Sequence, residues 1–88
     1  MATQFKKVTI TRDDFETANY GSNTDCAIAR ALKRAGLDKV MVGGYDYAYY
    51  ANGKKFNVYH TRKLDAVLDA WRFMGKYPNS FSFQVPVA

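Results

Sequence analysis

KVMVGGYDYAYYANGKKFNVYHT, residues 39–61, decides the fold: it reads as a β-hairpin and holds five of the chain's seven tyrosines. Asn52-Gly53 marks the turn. Both residues tolerate positive φ, and this dipeptide between alternating strands is the strongest short-range hairpin signal. A two-residue turn there pairs Ala51 with Lys54, Tyr49 with Phe56, Tyr47 with Val58 and Tyr45 with His60. Residues directly opposite one another share a face. One face therefore carries Tyr45, Tyr47, Tyr49, Phe56, Val58 and His60, and is expected to be the core face. The other carries Asp46, Ala48, Tyr50, Lys55, Asn57 and Tyr59, and is expected to be wet. The first strand is expected to run from Lys39 to Tyr50 with a bulge at Gly43-Gly44. A bulge flips the parity and brings Val40 and Val42 to the core face beside Tyr45.

The flanking segments supply the other layers. Phe5 to Thr11 alternates, with Val8 and Ile10 on one side and Lys7, Thr9 and Thr11 on the other, so it is a half-buried strand. Thr11 caps a short helical turn with Asp14 as its capping-box partner, and Phe15 anchors that turn on the core. Asn19-Tyr20-Gly21-Ser22-Asn23 reads as a loop, with Tyr20 as a lid on the core edge. Asn23 or Thr24 is expected to cap the next helix, with Asp25 in its first turn. Ile28, Ala31, Leu32 and Ala35 form its buried stripe. Gly36 suits the left-handed position after the helix, with Leu37 folding back on Leu32. Beyond the hairpin, Thr61 caps a helix from Arg62 to about Met74, whose stripe is Leu64, Val67, Leu68, Trp71 and Met74. Gly75 and Pro78 end it. Ser80 to Val85 alternates again, with Phe81, Phe83 and Val85 facing in.

The expected order is strand, helix, strand, strand, helix, strand. It predicts an α+β fold of ferredoxin-like β-α-β-β-α-β type, a four-stranded antiparallel sheet with two helices on one face. The 88 residues make a single domain, and the 48% hydrophobic content is enough to give it a core. A single cysteine, Cys26, suits a reducing compartment. The N-terminus lacks the apolar segment of a secretory signal, and no run is long enough to span a membrane. A soluble cytoplasmic protein is expected. The net charge of +5 leans towards anionic partners.

The run Asp25-Cys26-Ala27-Ile28-Ala29-Arg30-Ala31-Leu32-Lys33-Arg34 resembles the opening of the first helix in small bacteriophage-encoded proteins of unknown function. The ending Phe81-Ser82-Phe83-Gln84-Val85-Pro86 is similar to theirs. Those proteins often have proline where this chain has Ala27. The resemblance implies a phage accessory protein acting in the host cytoplasm, and it carries over no activity and no catalytic residue.

The residues give little support to catalysis. Cys26 near a helix start and the lone His60 suggest a nucleophile and base, but the hairpin register puts His60 on the core face, and lone cysteines usually pack as small apolar residues. One cysteine and one histidine fall short of a metal site. Gly43-Gly44 alone makes no phosphate loop. No cofactor and no metal are expected. The wet sheet face remains. Summed over adjoining strands it offers Lys7, Thr9, Thr11, Tyr50, Lys55, Asn57, Tyr59, Ser82 and Gln84, with Lys54 added at the hairpin tip, an aromatic surface among lysines and amides of the kind on which bases stack. Arg30, Lys33 and Arg34 form a secondary basic face. The expectation is a non-enzymatic module that binds nucleic acid or a nucleotide. The alternative is an anti-CRISPR-like, protein-binding inhibitor of a host enzyme or defence complex. A homodimer is a further expectation, because a half-aromatic sheet face can pair with its twin.

Overall fold

In a computed structural model of the chain, residues 4–19 and 22–88 are described. The elements are β1 (Phe5–Thr11), α1 (Arg12–Thr17), α2 (Ala27–Arg34), β2 (Asp38–Val42), β3 (Asp46–Ala51), β4 (Lys54–Tyr59), α3 (Arg62–Met74) and β5 (Ser80–Pro86). The fold is α+β with antiparallel sheets. The strands divide into a two-stranded ribbon, β1-β5, and a three-stranded meander, β2-β3-β4. The expected single four-stranded sheet is not formed, and the ferredoxin-like order with it. β1 pairs with β5 along its whole length, from Phe5 opposite Pro86 to Thr11 opposite Ser80, and has no ladder to the hairpin.

The Asn52-Gly53 hairpin forms in the expected register, with Tyr47 opposite Val58, Tyr49 opposite Phe56 and Ala51 opposite Lys54. Both turn residues have positive φ, 54° and 75°, the requirement of a two-residue turn that follows the strand twist. The Lys39–Tyr50 strand is corrected. Gly43-Gly44 belongs to a chain reversal rather than a bulge: the Gly43 N–H donates to the Asp46 carbonyl at 2.7 Å, and Val42 lies opposite Tyr47. A Cβ on Gly43 would stand 2.9 Å from Asp46 Oδ1, a contact that the Asp46 side chain can relieve by turning away. Val40 and Val42 are buried as expected, but a turn put them there. Tyr45 sits at that turn and is 82% exposed, not part of the core face.

One core joins the two sheets. Val8, Ile10 and Val85 of the ribbon pack with Val40, Val42, Tyr47 and Tyr49 of the meander. Tyr47 meets Phe83 edge-on at 6.0 Å between centroids, and the Tyr49 hydroxyl donates to the Pro86 carbonyl. Asn52 Nδ2 donates to the Val87 carbonyl at 2.7 Å, tying the hairpin turn to the chain after β5.

The caps explain where the helices begin and end. Thr11 and Asp14 form a reciprocal capping box on α1. Phe15 is buried, and its carbonyl accepts from Trp71 Nε1 at 2.9 Å while the two rings pack edge-on, so α3 is pinned to α1. α2 starts later than expected, with Cys26 rather than Asn23 or Thr24 as its N-cap and no side-chain cap bond. The Ser22 hydroxyl accepts from the N–H groups of Thr24 and Asp25, which holds those residues in a turn before the helix. At the other end, the N–H of Leu37 reaches the Leu32 carbonyl and that of Gly36 the Lys33 carbonyl, a Schellman motif with Gly36 at φ 91°. Thr61 caps α3 by accepting from the Leu64 N–H, and Gly75 ends it in the left-handed region. Leu64, Leu68 and Trp71 are buried, whereas Met74 is exposed, because the helix runs past the core there. Tyr20, the expected lid, lies outside the described residues.

Candidate nucleic-acid interface

The inner face of the meander is spent on the core, so the outer face carries whatever the sheet presents to a ligand. Strand pairing lays it out in rows. Asp46 lies opposite Tyr59, Met41 beside Ala48 and Asn57, and Tyr50 opposite Lys55. Lys39 joins the last row: its Nζ stands 5.0 Å from the centroid of the Tyr50 ring. The approach depends on backbone geometry. The β2 register shifts between Asp38 and Met41, and Lys39 takes φ 48°, a left-handed conformation uncommon for a side-chain-bearing residue. A cation over Tyr50 occupies a ring that was expected to stack. Tyr59, 77% exposed, offers the open ring of this face.

The expected site residues are only partly brought together. Tyr50, Lys55, Asn57 and Tyr59 share the outer face. Lys54 points to the opposite face, with its Nζ 5.5 Å from the Phe56 ring centroid. Lys7 and Thr9 belong to the ribbon, where the Thr9 hydroxyl lies 2.9 Å from that of Ser82, and they do not adjoin Asn57 and Tyr59. Lys39 and Met41 were missed by sequence reasoning. The parity change expected at Gly43-Gly44 already placed both on the outer face, opposite to Val40 and Val42.

The basic residues of α2 are engaged within the fold. Arg34 holds Asp14 through two bonds, 2.9 Å and 2.6 Å, and donates to the Thr9 carbonyl at 2.8 Å. Burial pushes the Asp14 carboxyl up, but the Arg34 bond, the Thr11 N–H and the Arg34 charge together hold it below the ordinary value. Arg30 bonds Asp25 Oδ1 at 2.9 Å and the Thr17 carbonyl at 3.0 Å. Lys33 donates to the Thr24 carbonyl. These side chains clamp α1 and the preceding turn onto α2 and do not stand as an open cationic face.

Cys26 is buried. The His60 side chain is fully buried, stacked on Tyr47 at 5.7 Å, with Nδ1 3.1 Å from Asp65 Oδ1. Its ring therefore belongs to the aromatic core. Burial raises the Tyr47 hydroxyl well above its ordinary value and pushes Tyr49 up to about 12, so both stay neutral core residues at physiological pH. Among the described residues no three His, Cys, Asp or Glu side chains gather as metal ligands. A cleft of about 180 Å³ between the ribbon and the meander is lined by Lys6, Leu37, Asp38, Asn52 and Val87, with one charge of each sign. No helix among the described residues is long and apolar enough to cross a membrane.

No protein family, no curated protein and no solved structure matches the chain.

Proposed function

We propose that the chain is a non-enzymatic binding module that takes single-stranded nucleic acid on the outer face of β2-β3-β4. The observation that carries this reading is Tyr59, an open aromatic ring on an uncovered sheet face, with Asn57 next to it on the strand and Lys55 beyond. A base stacks on Tyr59, Asn57 offers amide contacts to it, and Lys39 and Lys55 meet phosphates at the far row. Lys7, Thr9 and Lys54 fall outside this contact. Arg62 and Lys63, exposed at the start of α3, follow Tyr59 closely along the chain and extend the basic character. Fluorescence anisotropy with a labelled oligonucleotide tests it. Affinity is expected at low salt, falling with a slope of about −0.7 per phosphate neutralised on a single strand. Absence of binding at low salt contradicts the reading.

A second reading has its own support. Met41, Tyr45 and Tyr59 are all exposed around the same end of the meander, beside Asp46. Tyrosine and methionine are favoured in protein contacts. An inhibitor of a host enzyme or defence complex, encoded by a phage and acting in the host cytoplasm, would use such a patch. A stoichiometric host protein recovered from lysate after nuclease treatment favours this reading over the first.

A further inference from the structure

We propose that β4 is a homodimerisation edge. A second copy of the chain lays its own β4 antiparallel alongside, about a twofold axis through Asn57, and extends the meander to a six-stranded sheet. The inference does not rest on the nucleic-acid reading, but it engages the same Lys55, Asn57 and Tyr59, so a second copy and a nucleic acid compete for them.

The two edges of the meander differ. β2 is engaged at its end, where the Val42 N–H donates to the Asn23 carbonyl at 2.8 Å. β4 is the other edge. The His60 N–H donates to the Tyr45 carbonyl. The alternation of an antiparallel ladder then turns the peptide groups of Lys54, Phe56 and Val58 towards β3, and those of Lys55, Asn57 and Tyr59 away from it. No backbone partner among the described residues meets these outward groups. Such a row is a template for another strand.

The segment Lys55-Phe56-Asn57-Val58-Tyr59 complements itself. Centred on Asn57, an antiparallel copy puts Asn57 opposite its twin, Lys55 opposite the second copy's tyrosine, and Phe56 opposite the second copy's valine. Side chains of the outer face meet outer-face partners, and core-face side chains meet core-face partners. The lysine–tyrosine pairs are cation–π contacts in both directions. Phe56 and Val58 are only half-buried in the single chain and gain cover from one another. The outward peptide groups supply about six new hydrogen bonds. β4 contains no proline, and Lys54 lies outside the paired segment.

Two chains of charge +5 repel, so this association strengthens with salt, whereas nucleic-acid binding weakens. The contact is small, and association is therefore weak.

Sedimentation equilibrium of the full chain up to about 1 mM tests it. The mass is expected to rise from 10.0 kDa towards twice that value, and to do so at lower protein concentration in higher salt. Asn57→Pro removes the central outward N–H at a position where a strand tolerates proline, and Asn57→Asp sets two carboxylates face to face. Each is expected to weaken association about tenfold or more. If circular dichroism shows Asn57→Pro misfolded, Asn57→Asp decides. Asn57→Cys is expected to give a disulfide-linked dimer on oxidation, because Cα atoms opposite in such a pair stand about 5.5 Å apart. A wild type monomeric at about 1 mM, or a dimer that the Asp variant does not weaken, overturns the proposal.

Discussion

The cations of α2 and those of the β2-β3-β4 meander carry the same charge and are used in opposite ways. Arg30, Lys33 and Arg34 each find an oxygen within the fold, and Arg34 neutralises the one buried carboxylate described, Asp14. Lys39 and Lys55 face outward beside tyrosines and have no carboxylate partner among the described residues. The difference lies in what surrounds each cation. α2 is flanked by a turn and a short helix rich in carbonyls and acids, which reach its side chains. The outer sheet face has no layer above it to do so. A tally of basic residues therefore measures the lean towards anions, but cover decides which of them can act.

This contrast is open to mutation. The largest effect is expected at Asp14. Asp14→Asn weakens the α1 capping box and leaves the Arg34 clamp without its charge partner, costing about 2–3 kcal/mol in urea unfolding, with oligonucleotide affinity unchanged in the folded protein. Tyr59→Ala is expected to do the reverse. Binding weakens by about 1–3 kcal/mol in anisotropy titrations, while unfolding shifts by no more than about 0.5 kcal/mol. Replacing Lys55 by Gln is expected to lower the salt slope by about one unit or less and to leave stability alone. Arg30→Gln, at a partly exposed pair with Asp25, is expected to lower stability less than Asp14→Asn does in urea unfolding and to leave the salt slope unchanged.

Acid titration sharpens the same comparison. The Asp14 carboxyl is held below its ordinary 3.8 in the fold, so its contribution is present above that value and is lost as the pH falls through the lower folded-state value. Thermal melts across that range are expected to show the loss in the wild type and to lack this component in Asp14→Asn.

Local chemistry was legible in the sequence, and long-range pairing was not. Asn52-Gly53 fixed its hairpin register because both residues can hold positive φ, and Gly36-Leu37 announced the Schellman end of α2 for the same reason. Gly43-Gly44 misled because a bulge and a tight turn both reverse side-chain parity, and both bury Val40 and Val42. The turn became a hairpin, and the extra strand changed the sheet order. β1 pairs with β5 as the expected plan requires, but the ladder to β4 that the plan also required is absent, and no local pattern encodes that break. The candidate site divided with it, leaving Tyr59 and Lys55 on one sheet and Lys7 and Thr9 on the other. The Arg34–Asp14 bond spans twenty residues and was equally invisible to helical spacing.

The most direct test is an amide chemical-shift titration of the chain with a single-stranded oligonucleotide at low salt. The account predicts shifts concentrated at Lys39, Tyr50, Lys55, Asn57 and Tyr59, with Arg30, Lys33, Arg34, Lys7 and Thr9 still. Shifts centred on α2 or on the ribbon, or no shifts at all, would contradict it.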